Sequence, residues 1–595
     1  MTGSDSNVWL SRRTARMGRR GLIRGGLLTG AGLAGTALVG CGSTPRPAAG
    51  TPQASPAAGG TGPAAAPGRP GVPVVKGTIK DGGTWTEPIT ATSSTQDMHT
   101  TNTSFWQTIS EGPLIADPYT GEPQANLIEK WEVPDSTHIV FHVAKGTKLH
   151  NVAPWNGREF DAEDLAFNMN RTVGSTAAAE GIPKGAFLHA DWFTAMDKIE
   201  VVDKYTARVT LKAPSSAFLI NMVDHRNMMM PKGVVEVGFK DPMKLAGLSA
   251  FQLTEFVPGV REVYTRFQGY RRPGQPHIDK IINTVTADRG AQIAGFISKQ
   301  FSILTAASQQ DIKTVQTARP DVLLYKGIGI SWHHFRPNFK YGAFGDFRVR
   351  KAMQLAANYQ EIGDGYYGSG WGYLMGLHSY FPESWNEEKV KTLPGYNPAT
   401  KAKDREDAVK MMSAAGHDKG DGITFEMLTS PGWSFSDATK ENALRFQSQM
   451  QQLWPNVKIT IKTSPDVASF AKAQADKSIQ AVSYAIGAQR DIGSEAYSNF
   501  HSKGVRNYGS FENKEADAMI EKALVTLDAK ERAAIFQGPG GFMEKFFNEW
   551  MPMITFNLFP STTLIQPNVQ GYDQFVGPWA SGRSSALRGS LGFVS

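Results

Sequence analysis

Cysteine is almost absent: Cys41 is the only one in 595 residues. The chain therefore has no internal disulfide and no cysteine-built metal centre, and its fold rests on core packing. Catalytic signatures are missing as well. There is no Gly-x-Ser-x-Gly elbow, no His-Glu-x-x-His and no Walker loop. The Gly-x-Gly-x-x-Gly from Gly30 to Gly35 lies in an apolar stretch with no strand before it. Past that stretch, no run reaches the ~18 uncharged apolar residues of a spanning helix. Charge of one sign is also lacking in the bulk of the chain. The net charge is +7, but six of the 62 Lys/Arg and one of the 55 Asp/Glu fall within residues 1–41, leaving 56 basic against 54 acidic residues. Nucleic acid is therefore not an expected partner. His138 and His142 stand four residues apart on a strand, roughly 13 Å, too far to share an ion, and read as a solvated hairpin face. His333 and His334 diverge as strand neighbours. No metal and no cofactor is expected, and a catalytic carboxylate pair cannot be singled out.

What is present begins with a leader over residues 1–41. A basic start with Arg19 and Arg20, a Gly/Ala/Leu stretch from Gly25 to Gly40 and small residues before a cut describe a secretory signal. The paired arginines resemble a twin-arginine export signal, with Gly18 where Ser or Thr is usual. Leu38-Val39-Gly40-Cys41 resembles the bacterial lipoprotein processing site, which implies lipid on Cys41 and an extracytoplasmic protein anchored to a membrane. The bland alternative is a free cysteine near a membrane helix. Residues 42–77, dominated by Pro, Ala, Gly, Ser and Thr, bury little and read as a disordered linker.

The remainder alternates between strand and helix periods, which makes the class α/β. Ile139, Phe141 and Val143 alternate with polar neighbours and, with Trp131-Glu132-Val133, predict a hairpin turning at Pro134-Asp135. Asp161 is an N-cap for a helix in which Phe160 can staple onto Leu165, and Asp346 caps another with Val349, Ala352, Met353 and Ala356 as its apolar stripe. A helix from Ala402 to Ala415 stops at Gly416. Ile423 to Met427, a helix over Glu441 to Leu453, and Val457 to Ile461 make a βαβ unit with parallel strands. Asp528 to Glu531 is a capping box. Met553 to Phe556 and Thr562 to Ile565 read as two returning strands. Trp332, Trp371 and Trp433 lie near glycine- or proline-containing loops, where aromatics either line a ligand cleft or pack in the core.

Trp131-Glu132-Val133, then Phe141 through His150, then Phe160-Asp161-Ala162-Glu163-Asp164 resemble the signature of family 5 solute-binding proteins, the receptors of peptide/nickel-type ABC importers. Tyr205 to Leu211, Pro276 to Asp279, Phe344 to Ala352 and Tyr396-Asn397-Pro398 follow in the family's order, so the resemblance runs from about Gly82 to Tyr572. It implies a type II-like, two-lobed periplasmic-binding-protein fold with an extra subdomain and a hinge. Lobe I would span 78–325 and be rejoined by 557–595, and lobe II would span 326–556. It implies no enzyme, but a monomeric receptor that captures a small solute, an oligopeptide first and an oligosaccharide second, for an ABC permease and its ATPase. A lipoprotein hydrolase or a sensor is the alternative. Trp371, Trp433, Tyr484, Arg490 and Asp491 fall on segments the family places toward the cleft, although Arg490 and Asp491 also read as solvated loop charges. Ala488 stands where peptide receptors commonly hold an ammonium with Asp, which leaves the oligosaccharide alternative open.

Overall fold

The computed structural model describes residue 73 and residues 75–594 except 102, 118–120, 184–185, 306–307, 370–376, 378–380, 432–435 and 576–587. Side chains at 328–330, 467–468, 557–561 and 574 are likewise outside the description. Cys41, Arg19 and Arg20 therefore lie outside the described residues, and no helix among those described is long and apolar enough to cross a membrane.

After a two-residue pairing of Ile79 and Lys80 with Val594 and Phe593, strand β1 (Thr84–Ile89) is the first long element. It is followed by β2 (Ile128–Asp135) and β3 (His138–Val143), an antiparallel hairpin with Trp131 opposite Phe141. Ile139, Phe141 and Val143 turn inward, as the alternation predicts. The turn sits two residues later than expected. Pro134 falls where the register shifts, so no ladder N–H is asked of it, and Asp135 accepts from the Thr137 amide at 2.8 Å to close the bend. Helix α1 (Ala162–Thr172) carries a reciprocal cap, Asp161 bonding the Asp164 amide and Asp164 bonding the Asp161 amide. Next come β4 (Met196–Asp203) and β5 (Thr206–Leu211), giving an antiparallel sheet in the order β2-β3-β5-β4. Strands β6 (Phe251–Val257), β7 (Arg261–Arg266) and β8 (Lys280–Val285) form a second sheet in the order β1-β8-β7-β6. Phe141, Phe160, Phe193, Phe251 and Tyr264 pack a first core, joined by Ile565, Val569, Tyr572 and Leu591 from far along the chain.

A third sheet and the helices packed on it carry the second core; they are β9 (Ile303–Thr305), an edge strand whose Ile303 stays with the first core, β10 (Leu323–Pro337), α2 (Phe347–Ala356), α3 (Lys401–Ala414), β11 (Thr424–Thr429), α4 (Ser436–Leu453), β12 (Lys458–Thr463), β13 (Ala481–Gly487), α5 (Ile492–Phe500), α6 (Ala529–Gln537) and β14 (Ile554–Ile565). Its sheet runs β9-β14-β10-β13-β11-β12. β11 and β12 are parallel across α4, as the βαβ reading requires, with the helix starting earlier, at Ser436. Asp346 caps α2 through the Arg348 amide, and Gly416 ends the α3 region with φ +88°. Asp528 caps α6 through the Lys530 and Glu531 amides, without a reciprocal bond from Glu531. Phe335, Met353, Phe446, Met450 and Trp454 fill this core.

The two returning strands are one. β14 runs unbroken for 12 residues beside the 15-residue β10. Tyr325 of β10 and Ile565 of β14 belong to the first core, whereas Phe335 of β10 and Ile554 and Phe556 of β14 belong to the second. These two strands thus cross from one core to the other. Their register breaks between Ile328 and Trp332 and again before His334, midway along the crossing.

Candidate functional site

Where β13 ends, the chain turns through Ala488-Gln489-Arg490-Asp491 into α5, and this corner faces the first lobe. The opposing surface is a short turn over Ala190–Phe193 and the loop Asp224-His225-Arg226. Arg490 Nε donates to Asp224 Oδ2 at 3.2 Å, and its Nη2 lies 3.4 Å from His225 Nδ1. Gln489 reaches Asp191 at 3.4 Å, Asn221 reaches Ser494 at 3.5 Å, and the Ser216 amide donates to the Leu524 carbonyl at 3.1 Å. The lobes therefore meet along a buried polar seam.

Electrostatics along the seam are set by burial first and by arginines second. Burial pushes the Asp224 carboxyl up, but Arg226, bonded twice at 2.8 Å, outweighs it with His225 and Arg490 and holds the group well below 3.8. Arg226 also lies 4.8 Å over the Trp192 ring, which stacks on His189. The carboxyls of Asp191 and Glu495 go the other way: burial raises both, and the nearby Arg506 only partly offsets it. Glu495 accepts from the Gln489 amide at 2.7 Å and from Asn499 Nδ2 at 3.0 Å.

The predicted residues separate into neighbourhoods. Tyr484, half-buried on β13, faces His334 of β10 with ring centres 6.2 Å apart, and packs 5.0 Å from Phe470. Arg490 is committed to Asp224. Asp491 is the N-cap of α5, accepting from the Ser494 amide at 2.8 Å, with Arg532 at 3.9 Å, and burial raises its carboxyl against that cation. At 3% and 4% exposure, Arg490 and Asp491 are not solvated loop charges. Trp371 and Trp433 lie outside the described residues.

His333 and His334 do diverge: His333 meets Asn442 of α4 at 2.6 Å, while His334 turns to the opposite face beside Trp332 and Tyr484. His138 pairs with Asp135 at 2.9 Å, and His150 is buried against the Ser249 carbonyl. Among the described residues no group of three His, Cys, Asp or Glu is arranged to hold a metal. Asp191, Asp224, Arg226, Glu495 and Arg506 were not singled out from sequence. Asp224 and Arg490 are 266 positions apart, and nothing local links them.

Comparison with known proteins places this geometry. Heme-binding protein A of Haemophilus influenzae is 23% identical over 491 residues, covering 77% of this chain and 84% of that one. The periplasmic oligopeptide-binding protein OppA of Escherichia coli is 20% identical over 481 residues, covering 78% and 84%. The structure of the periplasmic binding protein DppA from Helicobacter pylori with the peptide STSA superposes with a TM-score of 0.72 at 18% identity, over 87% of this chain and 99% of that one. At that identity the likeness shows the two-lobed α/β fold. Residues 122–508, more than half of the chain, match the family described as bacterial extracellular solute-binding proteins, family 5 Middle. Two α/β cores crossed by a pair of strands and meeting at a polar seam are thus those of a family 5 solute-binding protein, the family to which this chain belongs.

Proposed function

We propose that the chain captures an organic solute between its lobes and presents it, unaltered, to an ABC permease. The observation that carries this reading is the seam itself: residues of two separate cores meet there in ion pairs and hydrogen bonds, while β10 and β14 cross from one core to the other. The register breaks after Ile328 supply the hinge, and binding energy selects the closed arrangement. The lobes are bounded near residues 325 and 556. We read the leader as removed before Cys41 and the thiol as lipidated, which tethers a monomer outside the cytoplasm.

An oligopeptide is the proposed solute, in line with the peptide- and heme-binding relatives. An oligosaccharide is the second reading, favoured by Ala488, which offers no carboxylate to an ammonium. Tyr484, Arg490 and Asp491 are proposed to border the solute, with Trp371 and Trp433. The test is mass spectrometry of small molecules retained by the purified protein, followed by rebinding. A solute at ~100 times its dissociation constant adds ~2.7 kcal/mol to stability, and small-angle scattering should show compaction. Retained compounds that come back chemically altered, or binding without compaction, would sink the reading.

A further inference from the structure

Two arginines in the second lobe are buried without a carboxylate, and they are treated very differently. Arg350 (4% exposed) spends its guanidinium on four carbonyls: Met551 at 3.2 Å, Phe344 at 2.6 Å, Gly345 at 3.1 Å and Trp550 at 2.7 Å. Arg336 (2% exposed) donates to the Arg506 carbonyl, at 2.9 Å to Asn499 Oδ1 and weakly, at 4.0 Å, to Met553 Sδ, and its Nε has no partner among the described residues. An unpaired buried cation with an idle donor costs several kcal/mol unless something else answers it.

The idle donor has company. Arg336, His334 and Trp332 alternate along β10 and share one face. Among the described residues, the Trp332 Nε1 is buried without a partner and neither ring nitrogen of His334 meets one with hydrogen-bond geometry, the Trp332 backbone exerting only a minor pull on the ring. Burial and the Arg336 charge keep His334 neutral, so it offers one donor and one acceptor. The Trp332 and His334 rings are 5.7 Å apart, and Arg336 lies 5.5 Å from the Tyr508 ring. Half-buried Arg506 is next in line. It donates to the Gly487 carbonyl at 2.9 Å, forms no ion pair with a described carboxylate, and acts electrostatically on Asp191 across the seam. Glu495, the buried acid on which both Arg336 and Arg506 act, already accepts from Gln489 and Asn499. Idle donors outnumber idle acceptors, and the two cations share the field of Glu495, with Asp191 for Arg506, but form no direct ion pair with a described carboxylate.

We propose that Trp332, His334 and Arg336, with Arg506 at the seam, form an anion subsite, and that the captured solute places a carboxylate there. The inference rests on the capture reading and narrows its ligand class. The carboxylate comes from a peptide terminus or from an acidic sugar, and the experiment separates the two. Protein stripped of solute by unfolding and refolding is dialysed against a randomised tetrapeptide mixture without Asp or Glu, against the same mixture amidated at its C-terminus, and against oligogalacturonides and their methyl esters. Bound species are read by mass spectrometry.

The wild type should retain one acidic mixture at least tenfold over its neutral counterpart, and that mixture names the source. Arg336→Gln should retain acid and neutral forms alike. Trp332→Phe, which keeps an aromatic ring and loses the donor, should weaken the preference several-fold; it and the wild-type acid-to-neutral ratio decide the matter if Arg336→Gln does not fold. Equal retention of acidic and neutral forms by the wild type overturns the subsite and leaves capture standing. A wild type that retains no member of any mixture and carries no solute from its host overturns both.

Discussion

Arg171 and Arg490 show what the same chemistry does inside one lobe and between two. Arg171 is fully buried in the first lobe, gripping Asp97 at 2.6 and 2.8 Å and Glu180 at 2.8 Å, with the rings of Phe187 and Phe239 against its guanidinium. All its partners fold with it. Arg490 is as well buried, but its carboxylate, Asp224, belongs to the other lobe. Taking Arg171 away leaves two buried carboxylates that nothing can re-solvate short of unfolding. Taking Arg490 away leaves Asp224 with Arg226, and water can reach the site once the lobes part. The first contact is a weld and the second a latch, and the geometry follows suit: Arg171 grips two carboxylates at 2.6–2.8 Å, whereas Arg490 Nε reaches Asp224 at 3.2 Å.

The largest expected effect follows from the weld. Arg171→Met should cost ~3–5 kcal/mol, the range for removing one partner of a buried pair, read as an earlier denaturant midpoint. A loss under ~1 kcal/mol would erase the distinction. Arg490→Gln should leave that midpoint nearly in place and move the open–closed balance at least tenfold toward open, ~1.4 kcal/mol, seen as a larger radius of gyration without ligand. If it instead unfolds the protein as Arg171→Met does, the latch is a weld.

Acid sharpens the contrast. Burial pushes the Asp97 carboxyl up, but the Arg171 guanidinium outweighs it and holds the group below its ordinary 3.8. The stability it contributes is complete above that value and lost as pH falls through the lowered folded value. In Arg171→Met burial is opposed only by the smaller effects of Thr100 and His99 and the sign reverses, so the gap between variant and wild type should narrow from pH 5 to pH 3. A constant gap would place the cost elsewhere. The smallest effect belongs to Asp491: removing the α5 cap in Asp491→Ala should cost about 1 kcal/mol without opening the lobes. Affinity loss beyond that would mark direct ligand contact.

Local physics was legible in the sequence, and distant pairing was not. The caps at Asp161 and Asp346, the alternation from Ile139 to Val143 and the stop at Gly416 each depend on neighbours within a few positions, and the structure keeps them. The strand from Ile554 to Ile565 was read as two because Pro560 and the stretch before it interrupt the apolar period. What carries it through is pairing with β10, more than two hundred positions earlier. The seam was invisible for the same reason. Asp224-His225-Arg226 has no motif, and its partner becomes known only when the lobes are placed together. Tyr484, Arg490 and Asp491 stand out only through family resemblance, and the structure gives each a separate set of neighbours.

The crossing strands have a consequence for the order in which the protein can be made. In the sheet order β9-β14-β10, the middle place is taken by residues that leave the ribosome last of the three. Until Ile554 to Ile565 have been synthesised, β9 and β10 have no bridge between them, and the first core lacks Ile565, Val569, Tyr572 and Leu591. Neither half can finish folding on the nascent chain. Completion waits for a long-range closure of the slow, high-separation kind, so an interrupted translation product would remain open and available to chaperones or proteases, while the full-length chain sets both halves in a single late step.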